Sequence, residues 1–210
     1  MIANGEGWTL IHGDCLQVLP TLEAGSVDAV ITDPPFLKKN LGLYGQMASC
    51  LPRILKPGGS LFAMVPHFGI AHVLPAVSEY LKWRWLFCMW QEKGKHPRMA
   101  MGIEVMWFPV GWWVNGSWPT GRGFIRDGFE NTPVVKTFHP WEKTPEWAEH
   151  CIKTVPLDGV VLDCFAGSGS TGVACLQTGR RFIGIELDAA YFEVARQRLE
   201  AAAQQTRLAV

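Results

Sequence analysis

The sequence predicts an α/β domain with a mostly parallel sheet and helices on both faces, and three observations support this prediction. Apolar runs bounded by turn residues alternate with longer helical patterns. One apolar run, at 160–164, leads through a glycine-rich loop into a helical pattern. The 210 residues are 48% hydrophobic and 18% charged, as expected for one globular domain. We therefore expect a single domain over residues 1–210.

Seven apolar runs have the length and the flanking turn residues of strands, and they lie at 9–12, 27–32, 60–65, 83–90, 104–109, 160–164 and 181–186. The runs at 83–90 and 104–109 are separated by a polar loop without a helix, which predicts an antiparallel hairpin at the sheet edge. Five helical patterns lie at about 41–55, 69–81, 145–154, 170–178 and 189–205. Asp188 is placed to cap the start of the last helix.

The middle of the chain differs from its two ends in charge and in aromatic content. Residues 82–143 hold 9 basic and 5 acidic residues and eight of the ten tryptophans, while the formal charge of the whole chain is zero. A basic, aromatic segment suits contact with a polyanion. Alternatively, the tryptophans belong to the core or to a subunit interface. Residues 110–138 are rich in Gly, Pro and Trp and predict an irregular insertion on the scaffold, not a second domain.

The cysteines and the hydropathy pattern indicate a cytoplasmic location. The six cysteines form no CxxC pair and no Cys/His spacing typical of zinc ligands, which predicts reduced thiols and no metal site. The sequence has no pattern of a signal peptide, and no apolar run reaches the length of a membrane span. We therefore expect no membrane association.

The glycine-rich loop indicates a nucleoside cofactor. The run at 160–164 continues as Phe165-Ala166-Gly167-Ser168-Gly169-Ser170-Thr171-Gly172, and Glu186 ends the next strand, 19 residues after Gly167. An acid at that spacing can accept hydrogen bonds from both ribose hydroxyls. A nicotinamide dinucleotide would require a second mononucleotide half, but only 38 residues follow Gly172. S-adenosylmethionine fits better because it has no pyrophosphate; a structural turn without a ligand is the other interpretation.

The stretch Asp33-Pro34-Pro35-Phe36 indicates a site for an exocyclic amine. It follows the strand at 27–32, so Asp33 is expected at the carboxyl edge of the sheet, where ligands bind in such folds. The prolines restrict the backbone and lack N–H donors, which leaves rigid carbonyl acceptors. Asp33 and the Pro34 carbonyl can grip the amine while Phe36 stacks on its ring. The plain alternative is that Asp33 caps a turn and the prolines end a strand.

Together these motifs resemble the permuted beta group of DNA amino-methyltransferases, in which the catalytic motif precedes the cofactor motif. The resemblance rests on Gly13–Leu16, Ser26–Phe36, Leu55–Ser60, His139–Lys143, Asp163–Thr171 and Gly184–Leu187. It implies a Rossmann-like methyltransferase fold with a seven-stranded sheet. It also implies methyl transfer from S-adenosylmethionine to the N6 amine of a flipped-out adenine in double-stranded DNA, as in the methyltransferases of restriction-modification systems. The adenine assignment rests on Asp in the Asp-Pro-Pro turn, because cytosine-N4 enzymes of this kind more often carry Ser there.

The resemblance also assigns roles to individual residues. Asp33, Pro34, Pro35 and Phe36 are the predicted catalytic residues. The predicted cofactor-binding residues are Asp14, Cys15, Lys143, Thr144, Asp163, Phe165, Ala166, Gly167, Ser168, Gly169, Ser170, Thr171, Glu186 and Leu187, with Glu186 on the ribose, Asp14 near the adenine and Lys143 toward the methionine end. Residues 110–138 would form a compact target-recognition insertion, to which the loop 91–103 is a further candidate contributor. The candidate DNA contacts are Lys93, Lys95, Arg98, Arg122, Arg126 and Lys136.

Three departures from the family pattern affect these expectations. Phe36 stands where the family usually has Tyr, and Trp141 and Thr144 replace residues of the usual His-Pro-Thr-x-Lys-Pro. The chain is also short for the family, which suits relaxed sequence specificity or a phage-type modification enzyme. Other functions remain open: methylation of cytosine N4 or of an RNA or protein nitrogen, or a catalytically silent DNA-binding protein of the same fold. The tryptophans and the loop 91–103 could also build a homodimer.

Overall fold

A nine-stranded sheet forms the framework of the described part of the chain. The computed structural model describes residues 1–91, 98–100, 103–105, 107–118, 125–131 and 146–208. Its strands are β1 (Ile2–Gly5), β2 (Trp8–His12), β3 (Val27–Thr32), β4 (Leu55–Met64), β5 (Lys82–Gln91), β6 (Arg98–Ala100), β7 (Ile103–Val105), β8 (Trp107–Val114), β9 (Gly128–Asn131), β10 (Val160–Asp163) and β11 (Arg181–Glu186). The sheet order is β1-β2-β11-β10-β3-β4-β8-β5-β9, and β6 and β7 form a separate hairpin.

Helices cover both faces of this sheet, as the sequence predicts. They are α1 (Cys15–Val18), α2 (Gly42–Ile54), α3 (Ile70–Ser78), α4 (Glu146–Ile152), α5 (Ser170–Gln177) and α6 (Ala189–Leu208). Alternate residues of β3 point to opposite faces: Ile31 packs in one apolar cluster with α4, α5 and α6, and Val30 packs in the other with α2 and α3. None of the helices in the described residues is long and apolar enough to cross a membrane.

The strand directions place the carboxyl ends of the parallel strands at one edge of the sheet. Strands β2, β11, β10, β3 and β4 are consecutive in the sheet and mutually parallel. In the register of β10 and β3, Val161 lies opposite Ala29 and Leu162 opposite Val30. The residues that follow β3 and β10 therefore meet at the carboxyl edge, although about 130 residues separate them in the chain.

The fold class is confirmed, but the strand number of seven is wrong. Two four-residue strands, β1 and β9, extend the sheet at its edges. The predicted antiparallel pair exists as β5 and β8, but it is not the edge, because β9 pairs in parallel with β5 on the far side. Short edge strands carry too few residues to show a period of two, so their pattern was not visible in the sequence.

The limits of the predicted insertion also change. Residues 110–114 were expected to be irregular, but they belong to β8, which is hydrogen-bonded between β4 and β5. Residues 103–105, expected in the same strand, instead form β7 in the hairpin with β6. The prediction assigned Gly111, Trp112 and Trp113 to the irregular insertion because this stretch is rich in Gly and Trp. In the structure all three are buried in the sheet. Of the described residues after Val114, 115–118 lie outside any strand, whereas Gly128–Asn131, also within the predicted insertion, form β9.

Some of the tryptophans belong to the core, as one of the two interpretations of the sequence expects, and others are exposed. Trp112, Trp113 and Trp147 are buried core residues. Trp83, Trp85 and Trp90 on β5 are 42%, 54% and 44% exposed. Trp85 also donates a hydrogen bond to Asp127 (3.2 Å). The core explanation therefore holds for the first group, and the exposed group is available for contact with other molecules.

Candidate active site

A cleft of about 860 Å³ lies at the carboxyl edge of the sheet. Its walls come from the segments that follow β2, β3, β10 and β11. Because these parallel strands end at the same edge, the two motifs from distant parts of the sequence line one cavity. The volume is in the usual range for sites that bind small molecules and cofactors, about 300–1,000 Å³.

The glycine loop joins β10 to α5 and forms the floor of the cleft. Gly167 and Gly169 adopt left-handed backbone angles, with φ of 53° and 83°. Glycine takes this conformation without strain, which explains its presence at both positions. A Cβ atom on Gly169 would lie 3.1 Å from the Cβ of Ala195, so the loop also approaches α6 closely.

Glu186 stands beside this loop and is oriented by two backbone amides. One carboxylate oxygen accepts a hydrogen bond from the Gly167 N–H (2.7 Å), and the other accepts from the Asp188 N–H (2.8 Å). Each carboxylate oxygen has two lone pairs, so both oxygens keep acceptor capacity toward the cleft. This geometry suits a carboxylate that receives two neighbouring hydroxyl groups.

Asp14 has both a structural role and a position at the cleft. Its side chain accepts a hydrogen bond from the Leu16 N–H (2.9 Å) and thereby caps α1. The preceding residue, Gly13, donates its N–H to the Glu186 carbonyl (2.9 Å), which holds the turn after β2 against the end of β11. Asp14 thus lies on the same wall as Glu186.

A buried hydrogen bond connects the two halves of the cleft. The Thr32 hydroxyl, at the end of β3, donates to Asp163 at the end of β10 over 2.8 Å. The same carboxylate oxygen accepts from the Phe165 N–H (3.0 Å) at the start of the glycine loop. Burial raises the pKa of Asp163 to about 6, although these hydrogen bonds and one from Thr171 oppose that shift. Asp163 therefore ties the acid-proline turn to the glycine loop.

The acid-proline turn forms another part of the cleft wall. Asp33, Pro34, Pro35 and Phe36 all line it, and the Leu37 N–H donates to the Pro35 carbonyl (2.9 Å) to close the turn. The Phe36 ring lies 6.4 Å from the ring of Phe108 on β8. The charge of Asp33 contributes to the raised pKa values of Tyr44 and Asp163, after the larger effect of burial. An acid and an aromatic ring thus face the cavity side by side.

Comparisons with known proteins agree with this arrangement. A family model described as DNA methylase, of the N6/N4 methyltransferase type, matches residues 103–197. The DNA adenine methyltransferase YhdJ of Escherichia coli K12 is 26% identical, over 95% of this chain and 85% of its own length. The type II methyltransferase M2.DpnII of Streptococcus pneumoniae is 25% identical, over 94% of this chain and 91% of its own. The chain is therefore similar to DNA methyltransferases of the N6-adenine/N4-cytosine type.

Solved structures support the fold of this chain. The M1.HpyAVI complex with S-adenosylmethionine matches with a TM-score of 0.73 at 24% identity and covers 91% of this chain and 98% of its own. The cytosine-N4-specific PvuII DNA methyltransferase matches with a TM-score of 0.77 at 16% identity, over 95% of this chain and 92% of its own. At these identities the match concerns the fold, and it extends over nearly the whole chain.

Most of the predicted site residues lie together. The cleft is lined by Asp14, Cys15, Asp33, Pro34, Pro35, Phe36, Asp163, Phe165, Ala166, Gly167, Ser168, Ser170, Thr171, Glu186 and Leu187. Gly169 is the exception, because it packs against α6 and does not line the cleft. Its role in cofactor binding stays a prediction, and the structure shows its close contact with Ala195 of α6. Lys143 and Thr144 lie outside the described residues.

The candidate DNA contacts are mostly outside the described part of the chain. Lys93, Lys95, Arg122 and Lys136 lie outside it, and Arg98 is in β6. Arg126 is exposed, and its backbone carbonyl is 2.6 Å from Nε2 of His150 on α4. The roles of these six residues in DNA contact remain predictions. In the described residues we found no cluster of three or more His, Cys, Asp or Glu that could hold a metal ion.

Sequence patterns missed three residues that contribute to the site. Arg198 on α6 donates to the backbone carbonyl (2.9 Å) and the hydroxyl (2.8 Å) of Ser168, which braces the glycine loop from behind. Asn40 and Trp147 line the cleft from outside the two motifs. Arg198 lies 30 residues after Ser168, in an ordinary charged helix, so no local pattern marked it.

Proposed function

We propose that this protein transfers a methyl group from S-adenosylmethionine to the exocyclic N6 amine of a flipped-out adenine in double-stranded DNA. The observation that carries the proposal is the shared cleft, in which the Asp33–Phe36 turn faces the glycine loop and Glu186. The Thr32–Asp163 hydrogen bond holds the two walls in register. The transfer of one methyl group needs a cofactor and an acceptor amine side by side, and this cavity has a wall suited to each.

The cofactor wall fits S-adenosylmethionine, which is the cofactor of the family. Glu186 has free acceptor capacity for two ribose hydroxyls, and Asp14 lies next to it for contact with the adenine. Gly167 lines the cleft without a side chain, so a ligand can approach the backbone closely. When bound, S-adenosylmethionine supplies an electrophilic methyl group on a sulfonium centre.

The acceptor wall suits a planar amine. The lone pair of an exocyclic nitrogen is delocalised into the ring, which makes the amine a poor nucleophile. Acceptance of its two N–H bonds by the Asp33 carboxylate and the Pro34 carbonyl favours a pyramidal nitrogen with a localised lone pair. The same two acceptors stabilise the positive charge that develops during attack. Phe36 would stack on the base, and the missing tyrosine hydroxyl removes one polar contact.

Adenine is the proposed base because the turn begins with Asp. Within the family, Asp at this position is associated with adenine and Ser with cytosine. The relative YhdJ is named a DNA adenine methyltransferase, whereas the structurally similar PvuII enzyme is cytosine-N4-specific. Cytosine N4 is therefore the second candidate. Nucleoside analysis of methylated DNA distinguishes the two, because N6-methyladenine is expected and N4-methylcytosine alone would contradict the assignment.

Transfer of a labelled methyl group to unmethylated DNA, RNA and protein tests the acceptor class. We expect incorporation into DNA. Preferential labelling of RNA or protein would replace the proposed substrate, and DNA binding without any incorporation would indicate a silent protein of the same fold. Sequencing-based mapping of the methylated positions would then identify the target context. Sedimentation of the same preparation tests the predicted homodimer.

A further inference from the structure

The segment that directly follows the acid-proline turn lies at the mouth of the cleft. Leu37 lines the cavity and is 52% exposed, so its apolar side chain is accessible at the cleft mouth. A 3-10 turn, Lys38–Asn40, follows it, and Asn40 also lines the cavity. We call residues 37–40 the rim.

The stretch of chain that includes this rim carries basic residues and no acidic ones. Residues 34–78 contain four Lys or Arg and two His and not one Asp or Glu. Two of these cations are engaged elsewhere, since Lys56 pairs with Asp28 and Arg53 donates to the carbonyls of Leu19 and Pro20. Within the described residues, the exposed Lys38 and Lys39 have neither a hydrogen bond nor an ion pair with another side chain. Their charge is thus available to an anion at the cleft mouth.

The rim is held in place by its backbone and by a neighbouring turn. The Asn40 N–H donates to the Leu37 carbonyl (2.8 Å), and the Leu37 N–H donates to the Pro35 carbonyl (2.9 Å). The 3-10 turn His67–Gly69, after β4, packs against Leu41 so closely that a Cβ on Gly69 would lie 2.6 Å from its Cδ2. A supported rim can present its side chains without first becoming ordered, which favours binding.

We propose that the rim is a DNA-contact element in which Lys38 and Lys39 bind backbone phosphates beside the target base and Leu37 fills the space that the flipped base vacates. This inference rests on the proposed function. A base that enters the cleft leaves a gap in the stack, and apolar side chains of this size are known to insert between bases. Lysines beside the gap would neutralise the phosphates that flank it. Duplex DNA therefore offers phosphates to the two lysines and a gap in the base stack to Leu37.

The lysines are tested by the salt dependence of binding. We expect Lys38→Gln/Lys39→Gln to reduce the slope of log Kd against log salt for a duplex DNA by about 1 to 2, because each lost phosphate contact removes about 0.9. Affinity for S-adenosylmethionine should stay unchanged. Lys82→Gln is the matched control, because Lys82 is exposed at the opposite edge of the sheet, where β5 begins. An unchanged slope in the double variant, equal to that of the control, would overturn the role of the lysines.

Leu37 is tested by the rate of methyl transfer to two duplexes that carry the mapped target context. On the paired duplex, Leu37→Ala is expected to lower the rate about tenfold or more, since the variant cannot replace the lost stacking. On a duplex with the target base mismatched, flipping costs less, and we expect at most about a threefold loss. Leu157→Ala is the control, because Leu157 is 75% exposed and precedes β10 at the far edge. Equal losses on both duplexes, or no loss, would overturn the wedge.

Different outcomes would contradict the proposed methylation of DNA and the role of the rim. If the unaltered protein methylates no DNA at all, the proposed function fails. If it methylates DNA and the rim variants behave like the two controls, the function stands and the rim assignment fails. Stronger binding of an RNA hairpin than of duplex DNA, with the same sensitivity to the lysine changes, would also overturn the assignment of duplex DNA as the partner.

Discussion

Five carboxylates line the cleft; Asp188 caps α6, and each of the other four has a different environment. Asp163 is buried and accepts hydrogen bonds from Thr32 and the Phe165 N–H. Glu186 is half-buried and is oriented by two backbone amides. Asp14 is exposed and caps a helix, and Asp33 follows β3 at the proposed amine site. These environments suit separate tasks: positioning, ribose binding, adenine contact and amine binding.

Replacement of Asp33 tests the amine site. Asp33→Ala removes the proposed carboxylate acceptor and is expected to lower methyl transfer by about 100-fold or more, the usual effect of losing a group that stabilises developing charge. Affinity for S-adenosylmethionine should be retained, because Asp33 belongs to the other wall. Single-turnover methylation and equilibrium cofactor binding measure the two effects separately. Full activity in the variant would refute the proposed mechanism.

Replacement of Glu186 tests the ribose site. Glu186→Ala removes a charged acceptor of two hydroxyls and is expected to raise the Kd for S-adenosylmethionine about 10- to 100-fold. Calorimetric titration measures this constant. Glu186→Gln, which keeps the shape of the side chain, should give a smaller loss. An unchanged Kd in the Ala variant would remove the ribose assignment.

Asp163 predicts a pH dependence of stability. Its pKa in the fold, about 6, is above its ordinary value of 3.8. Because the pKa in the fold is the higher one, protonation of Asp163 stabilises the fold. This contribution to the free energy of unfolding is fully present below the unfolded pKa and is lost as the pH rises through about 6, by about 3 kcal/mol in total. We expect the unfolding free energy of the unaltered protein to fall relative to that of Asp163→Asn between about pH 4 and 7. Urea unfolding at several pH values measures this difference, and a constant difference would contradict the prediction.

At the scale of elements, the site depends on how α5 and α6 meet the sheet. Gly169 starts α5 and packs against Ala195 of α6, while Arg198 of α6 holds Ser168. The conformation of the glycine loop thus depends both on β10, which it follows, and on α6, which it contacts. Disturbance of the α5–α6 contact should therefore reach the cofactor wall.

Two glycines with similar backbone angles allow this coupling to be tested. Gly169 has φ of 83° with Ala195 at 3.1 Å from an added Cβ, whereas Gly116 has φ of 80° with open space around it. Both Ala variants should lose about 1 kcal/mol or more from the left-handed conformation alone. Only Gly169→Ala should also displace α6 and weaken cofactor binding. Thermal unfolding and cofactor titration compare the two, and equal effects would rule out the contact with α6 as the cause.

At the scale of the whole molecule, the two edges of the sheet differ: one forms the cleft and the other carries a structural cluster. The carboxyl edge holds the cleft. At the amino edge, Asp28 accepts hydrogen bonds from Lys56 and from the Val160 N–H, both at 2.8 Å, and so connects β3, β4 and β10. Like the Thr32–Asp163 hydrogen bond, this cluster joins β3 to β10, and it also includes β4, but it lies at the other edge from the cleft.

Asp28→Ala tests this division. Loss of the side chain leaves the Val160 N–H without its partner and is expected to lower the free energy of unfolding by about 1–3 kcal/mol. The methylation rate of the folded protein should change little, because no cleft residue is touched. Urea unfolding and steady-state methylation measure the two. A loss of activity comparable to that of Asp33→Ala would refute the division between edges.

Prediction of elements from the sequence succeeded where a run was long or buried on both faces, and failed where it was short or interrupted. The central strands β3, β10 and β11 were expected at 27–32, 160–164 and 181–186 and were found there within one residue. The edge strands β1 and β9 were missed, and β8 was placed too early. Strand order was not predictable from periodicity, because pairing depends on contacts between residues far apart in the chain.

The sequence by itself determined the fold class, the family and the two motifs, because glycine loops, acid-proline turns and apolar runs are local patterns with local physical causes. Only the tertiary structure decided how these motifs act together. It placed Thr32 against Asp163, turned Gly169 toward α6 and brought Arg198 behind the glycine loop. It also left Leu37 exposed at the cleft mouth. Each of these depends on strand register and helix packing, which join residues that no stretch of sequence shows side by side.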